Sequence, residues 1–98
     1  MEKHTPHCKL VLVQALVKAN KVRATGTAIQ GAAALGMSFG DVLTVIGSLS
    51  MVDFRKSMTT HADHTIWQDV YTPTTPAGNV YLKLTVIEDV LVVSFKEL

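Results

Sequence analysis

The sequence predicts an α+β fold, with N-terminal helices packed on one face of a mainly antiparallel β-sheet. Two observations carry this prediction. Apolar residues recur at helical spacing through the first half of the chain, whereas Thr, Val, Ile and aromatic residues dominate from Phe54 onward. Because 98 residues can bury one core and show neither linker nor repeat, we expect a single domain over residues 1–98.

The first two helices are predicted from their boundary residues. Thr5 followed by Pro6 is a favourable N-cap and first helical position, and the apolar spacing that follows ends near Asn20. A second helix is expected over Ala28 to Leu35, a run of good helix formers closed by Gly36.

A third helix and a short strand complete the first half. Ser38 is a favourable N-cap with Asp41 three residues on, a weaker form of the capping box, and a broad apolar stripe follows from Val42 to Leu49. Val22 to Thr25 is expected to form a short strand between the first two helices.

The second half predicts strands near Phe54 to Thr59 and near Thr65 to Tyr71, followed by a long hairpin from Val80 to Phe95. The intervening segment, Thr72 to Asn79, is rich in Pro, Gly and Asn and is expected to be a turn or loop.

The hairpin is predicted to have one apolar and one polar face. On the first strand the apolar face carries alternate residues from Val80 to Val86, and Leu91, Val93 and Phe95 match it on the second, provided the turn about Glu88 and Asp89 holds an even number of residues. In that register Tyr81 lies opposite Lys96, and Lys83 lies opposite Ser94.

A phenol beside an ammonium suggests phosphate binding or proton transfer. A solvated sheet face whose lysines prevent edge pairing would give the same pattern.

Composition narrows the possible functions. Hydrophobic residues form 48% of the chain and charged residues 17%, a high apolar content that suggests a partner surface. The longest apolar stretch, Leu10 to Val17, is too short to cross a bilayer and lacks a signal-peptide cleavage site, so we expect a cytoplasmic protein without membrane contact.

The cysteine count and the net charge exclude or leave open further features. The single Cys8 excludes an internal disulfide. The net charge of +1 does not by itself indicate that the protein binds nucleic acid.

Histidine spacing offers a competing metal hypothesis. His4 and His7 lie three residues apart next to Cys8, and His61 and His64 lie three apart around Asp63. Because C-x-x-C is absent and such pairs arise readily by chance, we expect no metal and no cofactor. His64 alone could act as a general base, although a structural histidine is the commoner case. Hydrolase and nucleotide-binding fingerprints are absent as well.

The remaining polar residues suit a reaction that requires no metal, the attack of a ribose 2′-hydroxyl on the neighbouring phosphate of RNA. The protein needs only to orient the chain, stabilise charge on the phosphoryl oxygens and move a proton. The chemical groups that these tasks require are present in Lys56, Gln68, Tyr81 and Lys96. Trp67 could stack on a base or serve as a packing residue.

Three sequence runs carry a family resemblance. The run F-x-K-S-M-T-T-x-x-D-H-T-I-W-Q-D-V-Y begins at Phe54, the run V-Y-L-K-x-T-V-I-x-D-V-L-x-V-S-F-K begins at Val80, and the chain opens with E-K-x-T-P-H. Together they strongly resemble the MqsR toxin family. The resemblance implies a RelE- and YoeB-like fold and an mRNA endoribonuclease that cuts at GC-containing sites without the ribosome, inhibiting translation and growth.

The resemblance also implies partners and site residues. A cognate MqsA-like antitoxin would carry the zinc and the helix-turn-helix, so operator DNA would be contacted only through the complex. The family's catalytic positions match Lys56, Gln68, Tyr81 and Lys96. Further substrate-binding candidates outside this set are Arg55, Trp67, His64 and Lys83.

Two departures from the family pattern bear on RNA preference. Arg55 and His61 both stand where an aromatic residue, typically Tyr, is expected. Arginine can stack on a base and also attracts phosphate, so cleavage is expected to persist with altered preference. The alternative function is a non-catalytic module that binds the antitoxin and represses transcription with it.

Overall fold

The computed structural model describes residues 1–98 and contains three α-helices followed by most of a seven-stranded sheet. The helices are α1 (Leu10–Lys18), α2 (Gly26–Ala34) and α3 (Phe39–Gly47), and a single 3-10 turn spans Met51–Asp53. No single helix is long and apolar enough to cross a membrane; α2 and α3 would reach that length only as a pair bent by 90°.

The strands form one sheet in the order β1-β3-β4-β6-β7-β2, with β5 attached to β6 alone. Their bounds are β1 (Glu2–Lys3), β2 (Val22–Ala24), β3 (Phe54–Thr59), β4 (Trp67–Tyr71), β5 (Thr74–Thr75), β6 (Gly78–Ile87) and β7 (Asp89–Glu97). Every pairing is antiparallel except that of β2 with β7. The predicted α+β class is therefore confirmed, and the likeness to RelE stays a prediction.

The core lies between the helices and one face of the sheet, which we call the inner face. Its buried sheet residues are Tyr71, Val80, Leu82, Leu84, Val90, Val92 and Phe95, and its buried helix residues are Val13, Val17, Ala28, Ala32, Val42, Val45 and Ile46. The opposite face, the outer face, carries no helix and is the one on which polar side chains were predicted.

Helix α1 begins at Leu10, so the predicted start at Thr5 and Pro6 is wrong. The side chain of Lys9, which precedes the helix, makes no capping hydrogen bond. The preceding backbone is instead held by Asp69 of β4, whose carboxylate accepts hydrogen bonds from the amides of His7 at 3.0 Å and Cys8 at 3.2 Å. A distant carboxylate thus replaces the local cap that the sequence suggested.

The other two helix starts follow local rules. Helix α2 begins two residues earlier than predicted, because Thr25 rather than a later residue is its N-cap and accepts a hydrogen bond from the amide of Ala28. The capping box of Ser38 and Asp41 is confirmed, since each side chain accepts a hydrogen bond from the other residue's amide.

The hairpin confirms the predicted pairing at one end and corrects it at the other. Tyr81 pairs with Lys96 and Lys83 with Ser94, but the register shifts by one residue between Lys83 and Leu84. Beyond this β-bulge, Val90 and Val92 point into the core, so the assignment of Leu91 and Val93 to the apolar face was wrong.

The turn was predicted wrongly as well. Ile87 pairs with Asp89 around the single residue Glu88, whose φ is 65°, instead of an even-numbered turn. The predicted loop at Thr72 to Asn79 also contains the two-residue strand β5, which pairs with the start of β6.

Gly31 allows α2 to approach β7 closely. A Cβ atom at this position would overlap the backbone carbonyl oxygen of Phe95, which cannot move without disturbing the strand that carries Lys96. The sequence showed Gly31 only as a glycine within a helix, a place where glycine is ordinarily unfavourable.

We expect Gly31→Ala to destabilise the protein, because overpacking against backbone typically costs about 1–3 kcal/mol. Gly47→Ala is the matched control, since an added Cβ at Gly47 meets no atom within 4 Å. Urea unfolding followed by circular dichroism measures both. An unfolding midpoint for Gly31→Ala equal to or above that of Gly47→Ala would show that α2 is free to move away from β7.

The contact of the N-terminal segment with Asp69 also predicts the reactivity of Cys8. Burial raises the pKa of the Cys8 thiol, and the Asp69 carboxylate raises it further. We expect iodoacetamide to alkylate Cys8 at pH 7.5 more slowly than a free cysteine, since the thiolate is the nucleophile. Asp69→Asn should accelerate the reaction, and Asp63→Asn, on an exposed loop, should leave it unchanged. A wild-type rate equal to that of a free thiol would contradict the prediction.

Candidate active site on the outer face of the sheet

The strand registers bring all four predicted catalytic residues to the outer face. Directly paired residues of an antiparallel ladder project to the same side, and so do residues two apart on a strand. Lys56 pairs with Val70, Val70 with Lys83, and Lys83 with Ser94, which makes one row across four strands.

Two further rows flank this one. The first contains Tyr81, two residues before Lys83 on β6, and its partner Lys96 on β7. The second, on the other side of the central row, contains Gln68, two residues before Val70 on β4, and its partner Met58 on β3. The four residues therefore share one face, as was predicted for Tyr81 and Lys96 alone. We call the three rows together the polar strip.

The polar strip is elongated rather than compact. Strands are separated by about 4.8 Å and rise about 3.3 Å per residue, so the outer rows lie roughly 13 Å apart and the Cα atoms of Lys56 and Lys83 roughly 10 Å apart. Lysine stems are long enough to bring both ammonium groups to one phosphate. Lys83, predicted only as a secondary binding residue, thus occupies the centre of the strip.

Tyr81 and Lys96 are in contact through the aromatic ring. The Lys96 ammonium nitrogen lies 5.3 Å from the centroid of the Tyr81 ring, a cation–π arrangement, and Lys96 is exposed. This geometry leaves the ammonium group open to solvent for contact with an anion.

The other tyrosine, Tyr71, lies on the opposite side of the sheet and is not part of the polar strip. It is buried on the inner face, where desolvation raises its pKa. The charges of Asp69 and Cys8 raise this pKa further.

Lys56 has an ion-pair partner that the sequence interpretation missed. Its ammonium lies 3.0 Å from a carboxylate oxygen of Glu2, which pairs with Met58 and so joins the row of Gln68 on the outer face. A two-residue strand shows no alternation from which its face could be inferred, and only the opening E-K-x-T-P-H run marked this segment.

The remaining binding candidates lie apart from the polar strip. Trp67 faces the helix side, where its ring stacks on His7 at 5.5 Å and lies 4.1 Å from the Lys3 ammonium. His64 is exposed in the loop between β3 and β4. Arg55 sits in the bulge of β3 and donates to the carbonyl oxygens of Val52 and Phe54.

Neither the histidines nor the clefts of the molecule suggest a different site. No three His, Cys, Asp or Glu side chains are grouped so that they could hold a metal ion. The larger cleft, of about 420 Å³, is lined by residues of the α2–α3 region together with Pro76 and Ala77, and it contains none of the candidate residues. The polar strip is therefore an open surface.

Comparisons with known proteins identify the family of the chain. The family model described as "Motility quorum-sensing regulator, toxin of MqsA" matches residues 5–97. The chain is also 58% identical, over 97 residues, to the mRNA interferase toxin MqsR of Escherichia coli (strain K12), with 99% of each chain covered. The chain belongs to the MqsR toxin family.

Proposed function

We propose that the chain is a single-domain, metal-independent mRNA endoribonuclease and the toxin of a toxin–antitoxin pair. The observation that carries the proposal is the gathering of Lys56, Gln68, Tyr81 and Lys96 on one open face of the sheet. The relative with 58% identity is named an mRNA interferase toxin, which supports the same activity here.

The polar strip suits cleavage by the RNA's own 2′-hydroxyl. Lys56, Lys83 and Lys96 supply cations for the phosphoryl oxygens, on which negative charge grows in the transition state. Tyr81 supplies a phenol for substrate placement or proton transfer, and Gln68 supplies an amide for a base edge or a phosphate oxygen. An open strip about 13 Å long accepts a polynucleotide more readily than a single nucleotide.

The biological setting follows from the family. We propose that the toxin acts in the cytoplasm on mRNA at GC-containing sites, and that it thereby inhibits translation and growth. An MqsA-like antitoxin is its partner, in keeping with the family description "toxin of MqsA", and contacts with operator DNA are made by the complex. Val11 and Leu12 of α1 are exposed apolar residues that favour such a protein partner.

Purified protein is expected to cleave RNA in EDTA and to leave 2′,3′-cyclic phosphate ends, which mass spectrometry of an oligonucleotide identifies. Lys56→Gln and Tyr81→Phe should each lower the single-turnover rate about 10²-fold or more, the usual effect of losing one electrostatic or proton-transfer group. Lys21→Gln removes an exposed charge outside the polar strip and is the control. Cleavage at the wild-type rate by the double variant Lys56→Gln/Tyr81→Phe would refute the assignment.

The non-catalytic alternative is separated by comparing toxicity with antitoxin binding. We expect the double variant Lys56→Gln/Tyr81→Phe to lose growth arrest while still co-purifying with the antitoxin encoded beside the toxin, because the exposed apolar residues of α1 lie outside the polar strip. If the wild-type chain binds that antitoxin but neither arrests growth nor cuts RNA, the co-repressor function is the correct one.

A further inference from the structure

Glu2 places a carboxylate inside the polar strip, beside a candidate catalytic lysine. One of its oxygens lies 3.0 Å from the Lys56 ammonium nitrogen, and both side chains are about half exposed, at 52% and 40%. The pairing of Glu2 with Met58 directs the carboxylate to the outer face, where Gln68 also lies. A ligand bound to Lys56 would therefore meet Glu2 as well.

The short strand that carries Glu2 is fixed on both sides of this residue. The amide of Thr59 donates to the Met1 carbonyl at 2.9 Å, and the Met1 ammonium donates to the Thr59 hydroxyl at 2.9 Å. On the inner side, Lys3 contacts His7 at 3.0 Å and lies over Trp67, and the His7 amide is bound by Asp69. Glu2 thus occupies a defined place rather than a frayed end.

The four residues of the proposed site lack a group that is ordinarily unprotonated at neutral pH. Lysine and tyrosine side chains usually retain their protons there, and glutamine does not titrate. A carboxylate has usually lost its proton and can accept one from a hydroxyl within hydrogen-bond reach. In the polar strip Glu2 supplies that chemical type.

We propose that Glu2 is the general base of the cleavage reaction, a role that rests on the ribonuclease function proposed above. The Glu2 carboxylate takes the proton of the ribose 2′-hydroxyl as its oxygen bonds to phosphorus. The bond from phosphorus to the 5′ oxygen breaks, and that oxygen takes a proton from solvent water, because Tyr81 lies in the opposite outer row, three strands from Glu2. The products are a 2′,3′-cyclic phosphate and a free 5′-hydroxyl.

The ion pair gives this role its geometry. A phosphate oxygen bound to Lys56 at about 2.8 Å lies next to the same nitrogen that Glu2 contacts. The 2′-hydroxyl adjoins that phosphate through the ribose, so it reaches the carboxylate without movement of the backbone. Lys56 would then neutralise the phosphate while Glu2 receives the proton.

Few other charged groups act on Glu2. Lys56 is its direct partner, and the Met1 ammonium on the same strand is engaged by Thr59. Lys3 points to the inner side, towards His7 and Trp67. The next residue, His4, is exposed.

The test is the pH dependence of single-turnover RNA cleavage in EDTA. For the wild type we expect the rate to fall at low pH as the carboxylate becomes protonated. This fall of the rate at low pH is called the acid limb. Glu2→Gln should lose the acid limb and should cleave about 10²-fold or more slowly than the wild type at pH 7. Its affinity for an RNA with a 2′-deoxy nucleotide at the cut site should be unchanged or higher, since a negative charge is removed.

Two controls separate a base from a residue that only positions Lys56. Glu88→Gln removes the same charge at the hairpin turn, at the far end of β6 from Tyr81, and should behave as the wild type. Lys56→Gln should be slow but keep the acid limb, because its base is intact. Loss of the acid limb in Lys56→Gln would overturn the proposal in favour of positioning.

The remaining outcomes are equally decisive. Glu2→Gln within threefold of the wild-type rate, or slowed only through weaker RNA binding, overturns the proposal while leaving the ribonuclease function intact. RNA left uncut by the wild type would refute the proposed function itself. Circular dichroism verifies that each variant is folded. If Glu2→Gln is unfolded, Glu2→Asp replaces it. If Glu2 is the general base, Glu2→Asp should cleave RNA more slowly than the wild type but keep the acid limb.

Discussion

The pairing of β6 with β7 is the constraint on which the rest of the structure depends. Six of its residues, from Val80 to Phe95, are exposed by no more than 1% and form the sheet side of the core. The same two strands hold Tyr81, Lys83 and Lys96 on the outer face. One register thus serves both stability and chemistry, and the β-bulge at Val93 makes this possible. Val93 is the extra residue of β7 opposite the step from Lys83 to Leu84, and if β7 alternated regularly through it, Val90 and Val92 would face outward.

The N-terminal segment depends on the sheet in the same way. Asp69 is buried on the inner face, and its carboxylate receives the amides of His7 and Cys8, which fixes the chain just after β1. Strand β1 then joins the edge of the sheet at β3 and brings Glu2 to Lys56. Asp69, which anchors this segment, lies on the inner face of the sheet, whereas Lys56, which contacts Glu2, lies on the outer face. A polar contact on the inner face therefore helps to place Glu2 on the outer face.

The sequence was informative wherever a strong local pattern coincided with the fold. The alternation of the two hairpin strands placed Tyr81 opposite Lys96, and the capping box at Ser38 started α3 as expected. It failed where a distant group overrode a local signal. Asp69 displaced the Thr5 cap, and the bulge reversed the faces of Leu91 and Val93, although both segments looked regular. Glu2 could not be placed at all, because a two-residue strand owes its position entirely to its neighbour.

The open character of the polar strip is consistent with the reaction that it is proposed to catalyse. An enzyme that must generate its own nucleophile commonly requires a closed pocket to position it and exclude water, whereas RNA brings the nucleophile within the same strand as the scissile phosphate. The protein then has to supply charge and a proton acceptor at fixed spacing, which a rigid sheet provides through its register alone. Such a surface relies on lysine contacts with phosphates, so its affinity for RNA should depend strongly on salt. The single carboxylate at the edge of the strip weakens that attraction locally, and a residue that opposes substrate binding is best understood if it takes part in the chemistry.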